Sequence, residues 1–288
     1  MSYRTDLALE AEQRVSASGE LKGITKRERR YDSAALEVTE IEIETENAAE
    51  LLGKPVGRYI TVKCVSGRLS DSAADAAARA ECIAAELGRL CHIPERILVA
   101  GLGNTEITPD SLGPTAAAKI LATRHIKRLA RDLDTEDLSE VTVISAGVMA
   151  QTGIESAAVV KALCREVRPQ LVIVVDALAC SELSHLGSTV QLCSTGISPG
   201  SGVENARAEL SETTLGVPTC AIGIPTVTDC SVIAAEAGGK ILPEYAGMIV
   251  TPKDIDELIK RSSALLAAGI NRALQPSLTL EELELLMQ

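Results

Sequence analysis

The chain has 288 residues, with 28 Lys and Arg against 40 Asp and Glu, a formal charge of −12, four Tyr, and neither Phe nor Trp. A chain of this length buries a large core, which excludes a small disulfide scaffold or a disordered tail. The acid excess excludes general nucleic-acid binding, where Lys and Arg must meet phosphates, and the scarcity of rings excludes a base-stacking platform. The 46% of hydrophobic residues must therefore pack as layers of Ala, Leu, Ile and Val. No apolar run is long enough to span a membrane. The opening MSYRTDLALEAEQR lacks the apolar stretch of a signal peptide, so a cytoplasmic location is expected. Eight cysteines, none in a C-x-x-C pair, read as reduced thiols buried among aliphatic neighbours.

In chain order, residues 1–32 are polar and read as a surface arm. LEVTEIEIETE (36–46) alternates apolar and acidic residues, the period of a half-exposed strand, and GRYITVKCVS (57–66) is a second strand. The Ala-rich stretch 70–90 reads as a helix opened by Ser or Asp. Short apolar runs follow at 96–103, 141–147, 171–179 and 219–226, with helical stretches at 113–131, 153–168 and 229–240 between and after them. Apolar runs of that length alternating with helices imply parallel strands covered on both faces. One more strand is expected at 187–194, a helix after Asp254, and a last helix in LTLEELELLMQ (278–288). The expected fold is a three-layer α/β/α sandwich with a mostly parallel sheet and an antiparallel hairpin near the N-terminus.

In such a sheet, ligands gather beyond the carboxyl ends of the strands. Four Gly- and Pro-rich loops stand there: 101–114, 146–155, 176–183 and 195–205. Gly101-Leu102-Gly103 begins a dinucleotide fingerprint, but Glu106 occupies the third glycine position, and no phosphate-cradling P-loop is present, so no cofactor is expected. Gly196-Ile197-Ser198-Pro199-Gly200 matches the hydrolase elbow G-x-S-x-G. Pro199 has no N–H for an oxyanion, and His92, His125 and His185 all precede Ser198, so the match is chance. A Cys180–His185 couple is conceivable, but His125 and His185 read rather as helix-surface residues. Carboxylates remain. Asp176 closes an apolar strand and Asp110 lies in the loop after another; either alone also fits a helix N-cap. Close together they would share a proton, one activating water while the other protonates the leaving group. Asp229 and Glu155 are weaker candidates of the same kind.

Blocks running nearly end to end resemble the germination proteases, the spore endopeptidases that degrade small acid-soluble spore proteins. They include RTDLALE (4–10), GRYITV (57–62), GLGNTEITPDSLGP (101–114), TGIE (152–155), VDALA (175–179), TGISPGSGVEN (195–205), IGIPTV (222–227) and MIVTPK (248–253). The resemblance implies a zymogen of the spore core that assembles as a homotetramer and acts on small acid-soluble spore proteins. It implies self-cleavage between Asp6 and Leu7, with residues 1–6 as propeptide and 7–288 as one peptidase domain. It places the catalytic pair on Asp110 and Asp176, in an aspartic-type mechanism with no metal. It also implies a longer segment between Lys240 and Met248 than the ILPEYAG link found here. Positively charged partners for an acidic cleavage site are sought in Lys119 or Arg124. The spacing from Gly101 to Asp110 also resembles the hydrogenase-maturation peptidases, which would make the chain a metal-dependent maturation peptidase. A third reading is a non-catalytic protein that binds a small anion in the Gly-rich loops.

Overall fold

The structure, a computed structural model, describes residues 5–17, 22–69, 71, 74–129, 136–200, 207–245 and 247–287. Its strands are β1 (Ile24–Tyr31), β2 (Leu36–Ile43), β3 (Gly57–Cys64), β4 (Arg96–Gly101), β5 (Glu140–Ser145), β6 (Leu171–Cys180), β7 (Thr189–Cys193), β8 (Thr219–Asp229) and β9 (Ile249–Val250). The helices of the N-terminal half are α1 (Ala8–Ser16), α2 (Glu46–Leu52), α3 (Ala76–Leu90), α4 (Leu112–Ala117) and α5 (Arg124–Leu129). They are followed by α6 (Met149–Thr152), α7 (Ser156–Val167), α8 (Glu212–Leu215), α9 (Cys230–Glu236), α10 (Ile255–Leu274) and α11 (Leu280–Leu286).

One sheet joins all the strands, in the order β1-β2-β3-β7-β8-β6-β4-β5, with β9 pairing to β8. The four strands β8, β6, β4 and β5 are parallel, while β1, β2, β3 and β7 add on antiparallel. The apolar runs are strands covered on both faces, as their composition requires. Ile97 and Val99 of β4 pack with α3, α4 and α10 on one side, whereas Leu98 and Ala100 pack with Val160 and Cys164 of α7 on the other. The three-layer architecture is thus the expected one. The hairpin of β2 and β3 pairs in the register Leu36 to Cys64 and carries α2 between its strands. It is not an appendage: β3 continues into the main sheet through β7.

Three expectations change. The loop expected over 176–183 is strand as far as Cys180, so Asp176 stands inside β6 and does not close it. Residues 24–31 belong to an edge strand, not to an arm. ITKRERRY has no apolar alternation because this strand is held by charge: Arg29 reaches Glu40 of β2 at 2.7 Å and Glu86 of α3 at 2.6 Å. The long helix expected over 113–131 is broken into α4 and α5, and residues 130 and 131 lie outside the described part. Asn271 of α10 causes the break by satisfying the backbone from outside. Its Oδ1 accepts from Leu121 N–H at 2.9 Å, and its amide donates to the Lys119 carbonyl at 3.0 Å. All eight cysteines are free, five buried and three partly so.

Candidate active site

The turn after β4 and the middle of β6 bring Asp110 and Asp176 to one place; Asp176 is paired with Gly223 of β8 inside the strand. Leu102 N–H donates to the Val175 carbonyl at 2.8 Å, so the chain leaving β4 is tied to the residue before Asp176. The turn that follows must then fold back tightly. Gly103, at φ +120°, allows this: a Cβ there would stand 1.9 Å from the Asp110 carbonyl oxygen. Asp110 ends a short 3-10 turn, Thr108–Asp110, which Thr226 of β8 anchors by donating its hydroxyl to the Pro109 carbonyl at 2.8 Å. The Asp110 carboxylate accepts from Asn104 N–H at 2.8 Å. Asp176 is buried, and one of its oxygens accepts from Ala177 N–H at 2.9 Å.

Both acids are pushed above the ordinary aspartate range. For Asp110 the cause is desolvation, opposed by the hydrogen bond from Asn104. For Asp176 the rise is larger; burial drives it first, followed by repulsion from Asp110 and from Asp6. Arg207 opposes both shifts with its positive charge. Two acids that repel each other and are poorly solvated retain a proton at a pH where exposed aspartates have lost theirs. Such a pair can take a proton from water with one carboxylate and deliver one with the other.

Asp6 belongs to the same place. Its N–H donates to the Ala179 carbonyl at 3.0 Å, and its Oδ2 accepts from Ala179 N–H at 2.8 Å, which pins the N-terminal segment to the end of β6. Leu7 is fully buried against Leu178 and Cys180, with Leu186 and Ile197 partly buried around them. The adjoining cleft, shared by Asp6, Lys54, Leu178 and Ile197, has an aromatic ring in its wall, that of Tyr59. Ala8 N–H donates to Gln191 at 3.2 Å. Further along, the buried Glu10 carboxylate accepts from Ser181 N–H and Oγ, both at 2.6 Å, and from Glu182 N–H at 3.2 Å, and lies 2.7 Å from His185 Nδ1. Burial works to raise the Glu10 pKa, but the hydrogen bonds from His185 and Ser181 hold it below the ordinary value. Residues 1–4 lie outside the described part.

The other candidates are not brought to this site. Asp229 is the N-cap of α9 and accepts from Ser231 N–H at 2.7 Å. Glu155 precedes α7 without capping it. His185 is buried on Glu10, not exposed on a helix, and Cys180 donates its thiol to the Val227 carbonyl, so no Cys–His couple forms. Burial pushes the Cys180 thiol up to about 12, which leaves it inert. Ser198 is exposed in its loop, and residues 201–205 of the same motif are outside the described part. Lys119 donates to Thr115 of α4 and to Ser263 of α10, and Arg124 pairs with Glu140 of β5. The cation beside the Asp6 segment is Lys54 instead, which donates to the carbonyls of Thr5 at 3.0 Å and Asp6 at 3.1 Å. Lys54 sits in the turn after α2, where Leu-Leu-Gly-Lys-Pro forms no motif, and nothing in the sequence singles it out. Arg207 and the Glu10–His185 contact are equally invisible there, since both arise from pairings distant in the chain.

Among the described residues, no three His, Cys, Asp or Glu side chains gather to hold a metal ion. No helix among the described residues is long and apolar enough to cross a membrane.

Similarity to known proteins agrees with the motifs. A germination protease of Clostridium perfringens is 34% identical over 325 aligned residues, which take in 98% of each chain. One of Caldanaerobacter subterraneus is 36% identical over 324 residues, covering 100% of this chain and 98% of the relative. One of Priestia megaterium is 36% identical over 294 residues, covering 98% of this chain and 77% of the relative. The alignments of 324 and 325 positions exceed the 288 residues of this chain, so those relatives hold residues that it lacks. Among solved structures, a NiFe hydrogenase maturation protease from Thermococcus kodakarensis matches 66% of this chain and 98% of its own at 20% identity, with a TM-score of 0.38, a level at which the likeness carries no argument. The family described as germination protease matches residues 4–247, and the chain belongs to that family.

Proposed function

We propose that this chain is the endopeptidase that begins the degradation of small acid-soluble spore proteins during germination. It is made as a zymogen in the spore core, cuts itself between Asp6 and Leu7, and acts as a homotetramer. Residues 1–6 are the propeptide and 7–288 the peptidase domain. Asp110 and Asp176 perform the chemistry: one as carboxylate takes a proton from water, and the other as carboxylic acid gives one to the leaving amine. The observation that carries this reading is the pair of raised acids at one sheet end, with Asp6 near enough to add its charge to the repulsion on Asp176. The seating of Leu7 in an aliphatic pocket agrees with a cut at an acidic–hydrophobic junction. Family membership supports the substrate class.

Mass spectrometry of the purified protein during incubation tests the reading. The unaltered chain is expected to lose residues 1–6. Asp110→Asn and Asp176→Asn are each expected to slow that loss and the cleavage of a spore-protein substrate by at least about 10³-fold. Full activity in either variant removes that residue from the pair.

A further inference from the structure

We propose that Lys54 is a catalytic residue of the peptidase, the group that receives the negative charge on the carbonyl oxygen of the bond being cut. The inference rests on the Asp6–Leu7 reading of the cleavage site. Its basis is one contact: the carbonyl held by Lys54 at 3.1 Å is that of Asp6, the carbonyl of the Asp6–Leu7 peptide bond itself. The rest of that bond is fixed as well. Leu7 N–H donates to Thr5 Oγ1 at 3.0 Å, Asp6 is held to Ala179 on both its backbone and its side chain, and Leu7 is buried. The segment therefore lies in the cleft pinned on both sides of one peptide bond, at a bend just before α1 begins.

The chemistry requires a group in that position. When water attacks the Asp6 carbonyl carbon, one acid of the pair removes a proton from the water, and the π electrons of the C=O bond move onto oxygen. That oxyanion needs a donor already in place, and a donor aimed where charge develops is worth most in a poorly solvated site. As the intermediate collapses, the C–N bond breaks. Its electron pair goes to the Leu7 nitrogen, which takes a proton from the other acid. Asp110 and Asp176 are engaged with the protons of the water and of the leaving amine, which leaves the oxyanion to a further donor. Lys54 supplies the missing positive charge from the turn between α2 and β3; burial lowers its pKa, and the negative charges of Asp6 and Glu10 oppose that shift. Its second contact, to the Thr5 carbonyl at 3.0 Å, fixes the ammonium and contributes equally to ground state and transition state.

Lys54→Met and Lys54→Arg in the full chain test the proposal, with folding checked by the thermal transition. Lys54→Met keeps the side chain's length and is expected to slow loss of residues 1–6 by about 10²–10³-fold. After processing has been driven to completion by long incubation, a synthetic peptide copying residues 4–14 is the second substrate. Its kcat is expected to fall by the same factor while its KM stays within about threefold. Lys54→Arg keeps a positive donor and is expected to recover at least about tenfold of the loss. If Lys54→Met shows no folding transition, Lys54→Gln replaces it. Processing within about threefold of the unaltered chain overturns the proposal, as does an effect confined to KM or an Arg variant no better than Met. If the unaltered chain is not cut between residues 6 and 7, the cleavage-site reading fails first. If it is cut there and Lys54→Met is cut equally fast, only the role of Lys54 fails.

Discussion

The sheet buries acids in two regions, and they are treated in opposite ways. At the β1–β2 end, Glu40 and Glu86 are almost fully enclosed, yet each is met by guanidinium groups. Arg29 holds Glu86 with two nitrogens, at 2.6 and 3.2 Å, and reaches Glu40 with a third, while Arg58 adds two contacts to Glu40. Desolvation works to raise Glu40, but the bonds from Arg29 and Arg58 hold it below its ordinary value. At the β4–β6 end, Asp110 and Asp176 have one backbone N–H apiece and the more distant charge of Arg207, and both rise. Burial is common to the two places; only the supply of cations differs. Where charge is matched, the acids fasten three strands to a helix. Where it is left unmatched, they hold a proton that exposed aspartates would have lost, and the fold is less stable for it.

The contrast can be broken from either side. The largest effect on stability is expected from Arg29→Met, which strips the enclosed Glu86 of its bidentate partner. A loss of about 3 kcal/mol in denaturant unfolding is expected, with the position of cleavage unchanged. Gly103→Ala comes next: its Cβ collides with the Asp110 carbonyl, so Asp110 must shift and cleavage should slow about 10²-fold, measured as the rate of loss of residues 1–6. The smallest effect carries the most information. Asp176→Asn removes a group whose folded-state pKa is raised, and the folded state therefore binds more protons than the unfolded one between the ordinary aspartate value and the raised value. Stability falls as pH rises through that window, so the Asn variant should be more stable than the unaltered chain near neutral pH, by on the order of 1 kcal/mol. The gain should vanish in acid below the ordinary aspartate range. Glu40 has the opposite slope: its lowered value adds stability above the ordinary range that is lost as pH falls. Thermal melting of Asp176→Asn across pH 3–8 reads the first sign directly.

Much of this was legible in the residues themselves. The central strands β4 and β6 are apolar runs, ILVA and LVIVV, and the glycines at 101, 103 and 113 mark where backbones approach too closely for a side chain. The two aspartates could be selected because one ends an apolar run and the other follows one, although β6 continues past Asp176 to Cys180. What stayed hidden depends on distant pairings. Edge strand β1 has no alternation to read, because Arg29 and Arg27 face carboxylates from β2 and α3 in place of an apolar core. The break between α4 and α5 comes from Asn271, about 150 positions away. Lys54 is unremarkable in its turn until the N-terminal segment is laid beside it.

Strand β1 also bears on how the molecule survives at high concentration. An edge strand presents unpaired backbone groups along its outer side, a template on which another chain can extend the sheet. In β1 the five consecutive residues Lys26 to Arg30 are all charged, four of them positive. A second copy approaching edge to edge would bring its own row of positive charges against this one. The charge that fastens the strand inward, through Glu40 and Glu86, thus also repels any copy that would extend the sheet from outside, guarding a chain rich in aliphatic strands against aggregation.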